Sequence, residues 1–253
     1  MEPTGLESPG AHGRIAHSGA HIWYATYGAG APVVLLHGGL GNADEWANQV
    51  PALVQSGHRA ILIDSRGHGR STRDARPFDY ELMATDVLAV MDVLKLAKAS
   101  FVGWSDGAII SLILAMKHAS RVTCVFAFGG NTDLTGTKDA SPSDPAIAGA
   151  FARAAKGYAK LSATPDEFKA FSGSVIEMMQ TQPNYSADDL AAIRVPVSIV
   201  HSDRDEFIKD EHAAYVARSI PGATLVILDD ANHFAPLQKP QQFNKAMLAF
   251  LDG

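Results

Sequence analysis

The chain predicts an α/β fold, a mostly parallel, doubly wound sheet carrying a small helical insertion. Three observations predict it. Short apolar runs alternate with amphipathic stretches, which is how strands covered on both faces of a parallel sheet read. The order strand, helix, strand demands right-handed crossovers and so places helices on both faces. After residue 128 the rhythm breaks, and a structureless loop of about sixty residues is improbable in a compact domain. Hydrophobic residues make up 47% of the 253, which is enough for a full core and excludes wholesale disorder.

Residues 1–12 are expected to form a flexible tail. The first ten have neither the basic nor the apolar segment of a secretion signal. Residues 13–17 and 21–27 are read as a hairpin added at the sheet edge. The run 33–36 leads into His37-Gly38-Gly39-Leu40-Gly41. Three glycines in a short loop let backbone N–H groups turn toward a ligand. In acyl transfer such a loop supplies one oxyanion donor, and the residue after the nucleophile supplies the other. The assignment is to the N–H groups of Gly39 and Asp106, with Leu40 as the alternative to Gly39. His37, which precedes the glycines, is read as structural.

The run 60–63 is followed by a loop with Arg66, Arg70, Arg73 and Arg76. Lys plus Arg is 21 and Asp plus Glu is 27, a net charge of −6. The arginines are therefore read as solvated or locally paired, not as an anion site. Residues 81–96 and 108–118 have helical patterns. Between them the run 101–104 opens into Gly103-Trp104-Ser105-Asp106-Gly107. This is G-x-S-x-G in the context its mechanism requires, a strand turning sharply into a helix. Glycines on both sides remove Cβ atoms that would clash, and the serine is pushed out at the carboxyl end of the sheet.

The run 122–128 holds Cys124, the single cysteine, so no intrachain disulfide is possible. It is read as a buried thiol, and a cytoplasmic location is expected. Residues 131–192 are expected to form a helical cap between core segments 13–130 and 193–253. Ile147, Phe151, Ala154, Tyr158 and Leu161 fall at helical spacing, as do Phe168, Phe171, Val175 and Met178. Thr164 and Pro165 suit the cap and first turn of the second helix. Phe171, Met178 and Met179 are either plain packing or pocket lining.

A serine hydroxyl needs a base, and the base needs a carboxylate to orient it. His233 stands after the run 223–228, and Asp205 after the run 195–200. Both are at strand carboxyl ends, the edge where ligands bind in open α/β sheets. The order Ser105, Asp205, His233 is the one this fold uses. Asp133 is a geometric alternative for the acid. Asp203 is read as shaping its turn through an Asx bond.

Together these motifs resemble the α/β-hydrolase superfamily over nearly the whole chain after Gly13. His37-Gly38-Gly39 is similar to its oxyanion loop, and Gly103 to Gly107 to its nucleophile elbow. Asp64-Ser65-Arg66-Gly67-His68-Gly69-Arg70-Ser71 resembles its D-x-R-G-x-G-x-S turn, where the glycines and serine are structural. Asn232-His233-Phe234 resembles its histidine motif, with Asn232 in place of the commoner glycine. The Trp-Ser-Asp-Gly wording resembles an esterase-like branch that includes relatives of valacyclovir hydrolase. The resemblance implies an α/β-hydrolase fold. A serine nucleophile argues against dehalogenases and epoxide hydrolases, which use aspartate.

The expected activity is hydrolysis of carboxylic esters or lactones of small soluble substrates, through an acyl-enzyme on Ser105. C–C bond hydrolysis or cofactor-free perhydrolysis on the same triad is the alternative, and a non-catalytic receptor-like pocket a further one. No cofactor or metal is expected, since there is no H-E-x-x-H, Cys/His cluster or phosphate loop. The acidic balance speaks against nucleic acid, and no apolar run reaches the roughly 18 residues of a membrane span. The Asp106 side chain either ties down a neighbouring loop or faces the pocket and attracts a substrate ammonium.

Overall fold

Alternation along the central strands assigns their side chains to two faces. In Ala31–Leu36, Val33 and Leu35 pack on one side of the sheet, and Val34 and Leu36 on the other. The computed structural model that shows this describes residues 9–139, 141 and 143–253. Residues 1–8, most of the expected tail, lie outside the described residues. The first strand already begins at Ala11, inside the stretch read as tail, because its pairing with the second strand extends from Ala11↔Thr26.

The strands are β1 (Ala11–His17), β2 (Ala20–Tyr27), β3 (Ala31–Leu36), β4 (His58–Ile63), β5 (Ala99–Trp104), β6 (Val122–Phe128), β7 (Val197–Ser202) and β8 (Thr224–Leu228). They form one sheet in the order β1-β2-β4-β3-β5-β6-β7-β8. β1 and β2 are the antiparallel hairpin at the edge, and β2 also meets β4 antiparallel. From β4 to β8 every pairing is parallel.

The helices are α1 (Val50–Gln55), α2 (Tyr80–Val93), α3 (Asp106–Lys117), α4 (Pro145–Leu161), α5 (Phe168–Thr181), α6 (Ala187–Ala191), α7 (Asp210–Ser219), α8 (Ala235–Gln238) and α9 (Pro240–Leu251). Among the described residues no helix is long and apolar enough to cross a membrane. One core cluster joins β-strand residues such as Ile61 and Phe101 to Val87, Val90 and Met91 of α2 and to Ile110, Ile113 and Leu114 of α3. The other sets Phe126 and Phe128 against Leu53 of α1 and Phe243 and Met247 of α9.

The insertion after β6 contributes α4, α5 and α6. Asp144 caps α4, its carboxylate accepting from the N–H of Ala146 at 2.8 Å. The expected cap at Thr164 is different. Pro165–Glu167 forms a 3-10 turn ahead of α5, and the Thr164 hydroxyl meets the Tyr158 hydroxyl at 2.9 Å instead of a helix N–H.

The basic loop after β4 is internally paired. Arg66 is buried and makes a two-pronged bond to Asp86 on α2, at 2.7 and 2.6 Å. Arg70 bridges Asp64 and Asp44. Asp64, fully buried, also accepts from the N–H groups of Ala43 and Arg70 at 2.7 Å each. It thereby clamps the turn that runs behind the glycine loop.

Candidate active site

The elbow is possible only because its flanking residues lack side chains. A Cβ on Gly107 would lie 2.0 Å from the Leu36 carbonyl oxygen, and one on Gly103 would lie 2.3 Å from that of Gly107. Ser105 itself sits at φ +54° and ψ −117°, a conformation that costs a non-glycine residue about 1–3 kcal/mol. Its N–H donates to the Phe128 carbonyl at 2.8 Å, fastening the turn to β6.

The structure brings His233 and Asp205 together. His233 Nδ1 is 2.8 Å from Asp205 Oδ2. The other carboxylate oxygen, Oδ1, accepts from the N–H groups of Phe207 and Ile208, both at 2.8 Å. Burial by itself would push this carboxyl up. The adjacent His233 and the two N–H donors outweigh it, and the Asp205 pKa is lowered. The His233 ring is boxed by Phe207, Phe234, Phe128 and Trp104. Its backbone N–H donates to Glu206 at 3.0 Å.

The alternatives for the acid are occupied elsewhere. Asp133 caps a short 3-10 turn and accepts from the Thr135 N–H at 2.8 Å. Asp203 does not make the local Asx bond expected of it. It reaches across to the N–H groups of Asp230 and Ala231, at 3.0 and 3.1 Å, and so ties the loop after β7 to the loop after β8.

The glycine loop turns at Leu40, which has φ +63°, and the Gly41 N–H closes it on the Gly38 carbonyl at 3.1 Å. His37 is buried, with Nδ1 donating to the Gly38 carbonyl at 2.8 Å while Nε2 accepts from the Ser65 N–H at 3.0 Å. Its role here is to shape the loop.

Ser105, His233, Gly39, Leu40 and Asp106 line one cavity of about 400 Å³. Its roof is apolar and comes from the insertion, with Ile147, Phe151, Ile176 and Met179. Of the three residues left open between packing and lining, Met179 lines this cavity. Phe171 stacks on Tyr158 in the core, and Met178 is buried in the same cluster.

The Asp106 side chain is tied down at one oxygen and unpartnered at the other. Oδ1 accepts from the Tyr80 hydroxyl at the start of α2, at 2.9 Å. Oδ2 is buried with no partner and faces the glycine loop, where a Cβ on Gly39 would come within 2.7 Å of it. Burial raises the Asp106 pKa to about 6, against the pull of Tyr80 and His233. A second carboxylate of the cavity, Glu45, is raised to about 7 by burial, offset in part by Arg153.

Gly129 escaped the sequence reading. It has φ +62°, and a Cβ there would lie 3.0 Å from the His233 ring. The glycine pair at the end of β6 carried that signal. Tyr80 and Glu45 carried none, since neither is part of a motif, although Glu45 follows closely on the glycine loop.

A family model described as the alpha/beta hydrolase fold matches residues 31–165. Among curated proteins, the chain is 27% identical over 252 residues to serine hydrolase BPHL of Mus musculus, covering 94% of this chain and 85% of that protein. It is 26% identical over 271 residues to a non-heme haloperoxidase of Rhodococcus erythropolis, covering 94% and 98%. Among solved structures, Est816, described as an N-acyl homoserine lactone degrading enzyme, is 29% identical with a TM-score of 0.75, covering 94% of this chain and all of that one.

Proposed function

The chain belongs to the α/β-hydrolase family, and on that premise we propose that it is a serine hydrolase of small carboxylic esters or lactones. The observation that carries the reading is the 2.8 Å His233–Asp205 pair, whose His233 lines one cavity with Ser105. Asp205 accepts at Nδ1–H, which leaves Nε2 bare to act as base. Ser105 Oγ attacks the carbonyl carbon and His233 Nε2 takes its proton. The N–H groups of Gly39 and Asp106 hold the oxyanion, Asp106 standing at the first helical position, whose N–H has no intrahelical acceptor. His233 returns the proton to the leaving alcohol. Water, activated by the same imidazole, then releases the acid.

The cavity volume falls at the low end of the roughly 300–1,000 Å³ usual for ligand sites, which favours small substrates. The lactone-degrading neighbour keeps cyclic esters within the proposal. The test is labelling by a fluorophosphonate, followed by an activity panel of esters, lactones and amides. Ser105 should be labelled, and the Ser105→Ala protein should not. Failure of the folded wild type to label would remove the nucleophile and leave a receptor-like pocket. Product analysis with diketones and with peroxide separates ester hydrolysis from C–C cleavage and perhydrolysis.

The unpartnered Oδ2 of Asp106 favours a refinement, in which esters carrying an amine are preferred. Such a charge contact is worth about 1–3 kcal/mol, or roughly five- to a hundred-fold in kcat/KM. A valine ester and the matching isovalerate ester compare the amine with its absence. Asp106→Ala keeps the backbone N–H and should erase only the preference for the valine ester. Equal loss on both esters would leave the side chain a purely structural role.

A further inference from the structure

A second histidine stands at the carboxylate that orients His233. His201, at the end of β7, is 1% exposed. Its Nδ1 lies 4.0 Å from Asp205 Oδ2, the same oxygen that holds His233. Its Nε2 lies 3.0 Å from Asp210 Oδ1, the first residue of α7 and an exposed one. A carboxylate only accepts, so Nε2 carries a proton. In the neutral ring Nδ1 is then bare and buried without a partner, 4.0 Å from a carboxylate oxygen. A second proton would give an imidazolium held between two carboxylates. The other groups around it are His233 from the loop after β8, His212 from α7, and Lys138 from the segment after β6. Lys138 Nζ donates to the Asp205 carbonyl at 2.7 Å and lies 3.7 Å from Asp210.

We propose that His201 is a positioning residue for Asp205, and that its protonation draws Asp205 away from His233. Oδ1 of Asp205 is already saturated by two N–H donors, so the two imidazoles share Oδ2 alone. A charged His201 would weaken the support Asp205 gives to the His233 imidazolium and make His233 a poorer base. Asp210 would favour the charged form and thereby set how far this goes from the protein surface. The proposal rests on the triad reading above.

The test follows the rate of Ser105 labelling by a fluorophosphonate from pH 5 to 9 in wild type, His201→Gln and Asp210→Asn. Without a charged neighbour on Asp205, His233 holds its proton to higher pH. Both variants should therefore move the acid limb upward by about half a pH unit, roughly a threefold slower reaction at a fixed pH on the limb. Loss of the Asp210 charge alone would move the limb the other way, so a common direction identifies His201 as the intermediary. An unshifted limb, or a loss uniform across pH, overturns the proposal. Nitrogen-15 imidazole NMR of the wild type reads His201 directly, whether or not the variants fold or the wild type labels. The proposal requires a His201 ring that carries both protons where the labelling rate falls, and a ring protonated at Nε2 alone throughout would refute it. Absence of labelling would sink the triad reading, while the NMR result still decides the state of His201.

Discussion

A carboxylate steers an imidazole only if its other oxygen is held by something else. Asp205 meets that condition, with two backbone N–H groups on Oδ1 and His233 on Oδ2. Asp133 spends its carboxylate on Thr135, and Asp203 spends its own on the loop after β8. Asp205→Asn should therefore lower ester turnover by about 10³–10⁴, because an amide cannot stabilise the imidazolium and invites the wrong tautomer. Asp133→Asn and Asp203→Asn should stay within about tenfold of wild type. Steady-state kinetics of the three folded variants checks the ranking, and a larger loss at Asp133 would move the acid to the earlier strand. Ser105, Asp205 and His233 were legible as residues of one sheet edge because each stands within a few residues of the end of an apolar run. The sequence could not reveal what the flanking side chains do. Asp203 tying two loops and Tyr80 holding Asp106 are contacts between segments far apart in the chain, and no local pattern encodes them.

At the scale of elements, the close passage of β3 and α3 sets the strictest demand. Gly107 lies against the Leu36 carbonyl, a backbone atom that no rotamer change can move aside. Gly107→Ala should displace α3 from the sheet and cost on the order of 3 kcal/mol or more, as overpacking against a rigid backbone does. Chemical denaturation would read this, and a variant as stable as wild type would mean that the two backbones can separate. The strands were legible because apolar runs bounded by Gly, Pro, Asp or His have few other readings. The paired helices of the insertion were legible from their spacing. Their entry was not, since Thr164 is drawn away by Tyr158 and the chain tightens into a 3-10 turn at Pro165. α1 and α6 are too short, at 6 and 5 residues, to show a period, and their existence depends on packing.

For the molecule as a whole, two sets of buried groups pull stability in opposite directions as pH falls. Glu45 and Asp106 are raised by burial to about 7 and about 6. Above those values each costs stability, because the fold must keep a desolvated carboxylate. That cost is relieved as pH falls through the folded values and is gone near the unfolded value of about 4. The histidines behind the glycine loop act the other way. Burial lowers His37, and it lowers His68 to about 3. The unfolded chain takes up their protons below about 6.5 while the fold refuses them, so stability is lost as pH falls through that window. Asp205, lowered in the fold, adds a further loss that begins only below its unfolded value of about 4. The two slopes offset each other between roughly pH 4 and 6.5, and below that only the destabilising ones remain. Asp106→Asn isolates one carboxylate, since the amide oxygen can still accept from Tyr80. It should stabilise the protein at pH 7.5 by on the order of 2 kcal/mol, with the gain shrinking through pH 5.5 and vanishing near pH 4. Thermal melts at the three values decide it. A variant less stable than wild type at pH 7.5 would mean that the buried carboxylate is held by a partner after all. A stabilised variant would instead mark Asp106 as a charge the fold keeps at its own cost, in the cavity where a substrate would meet it.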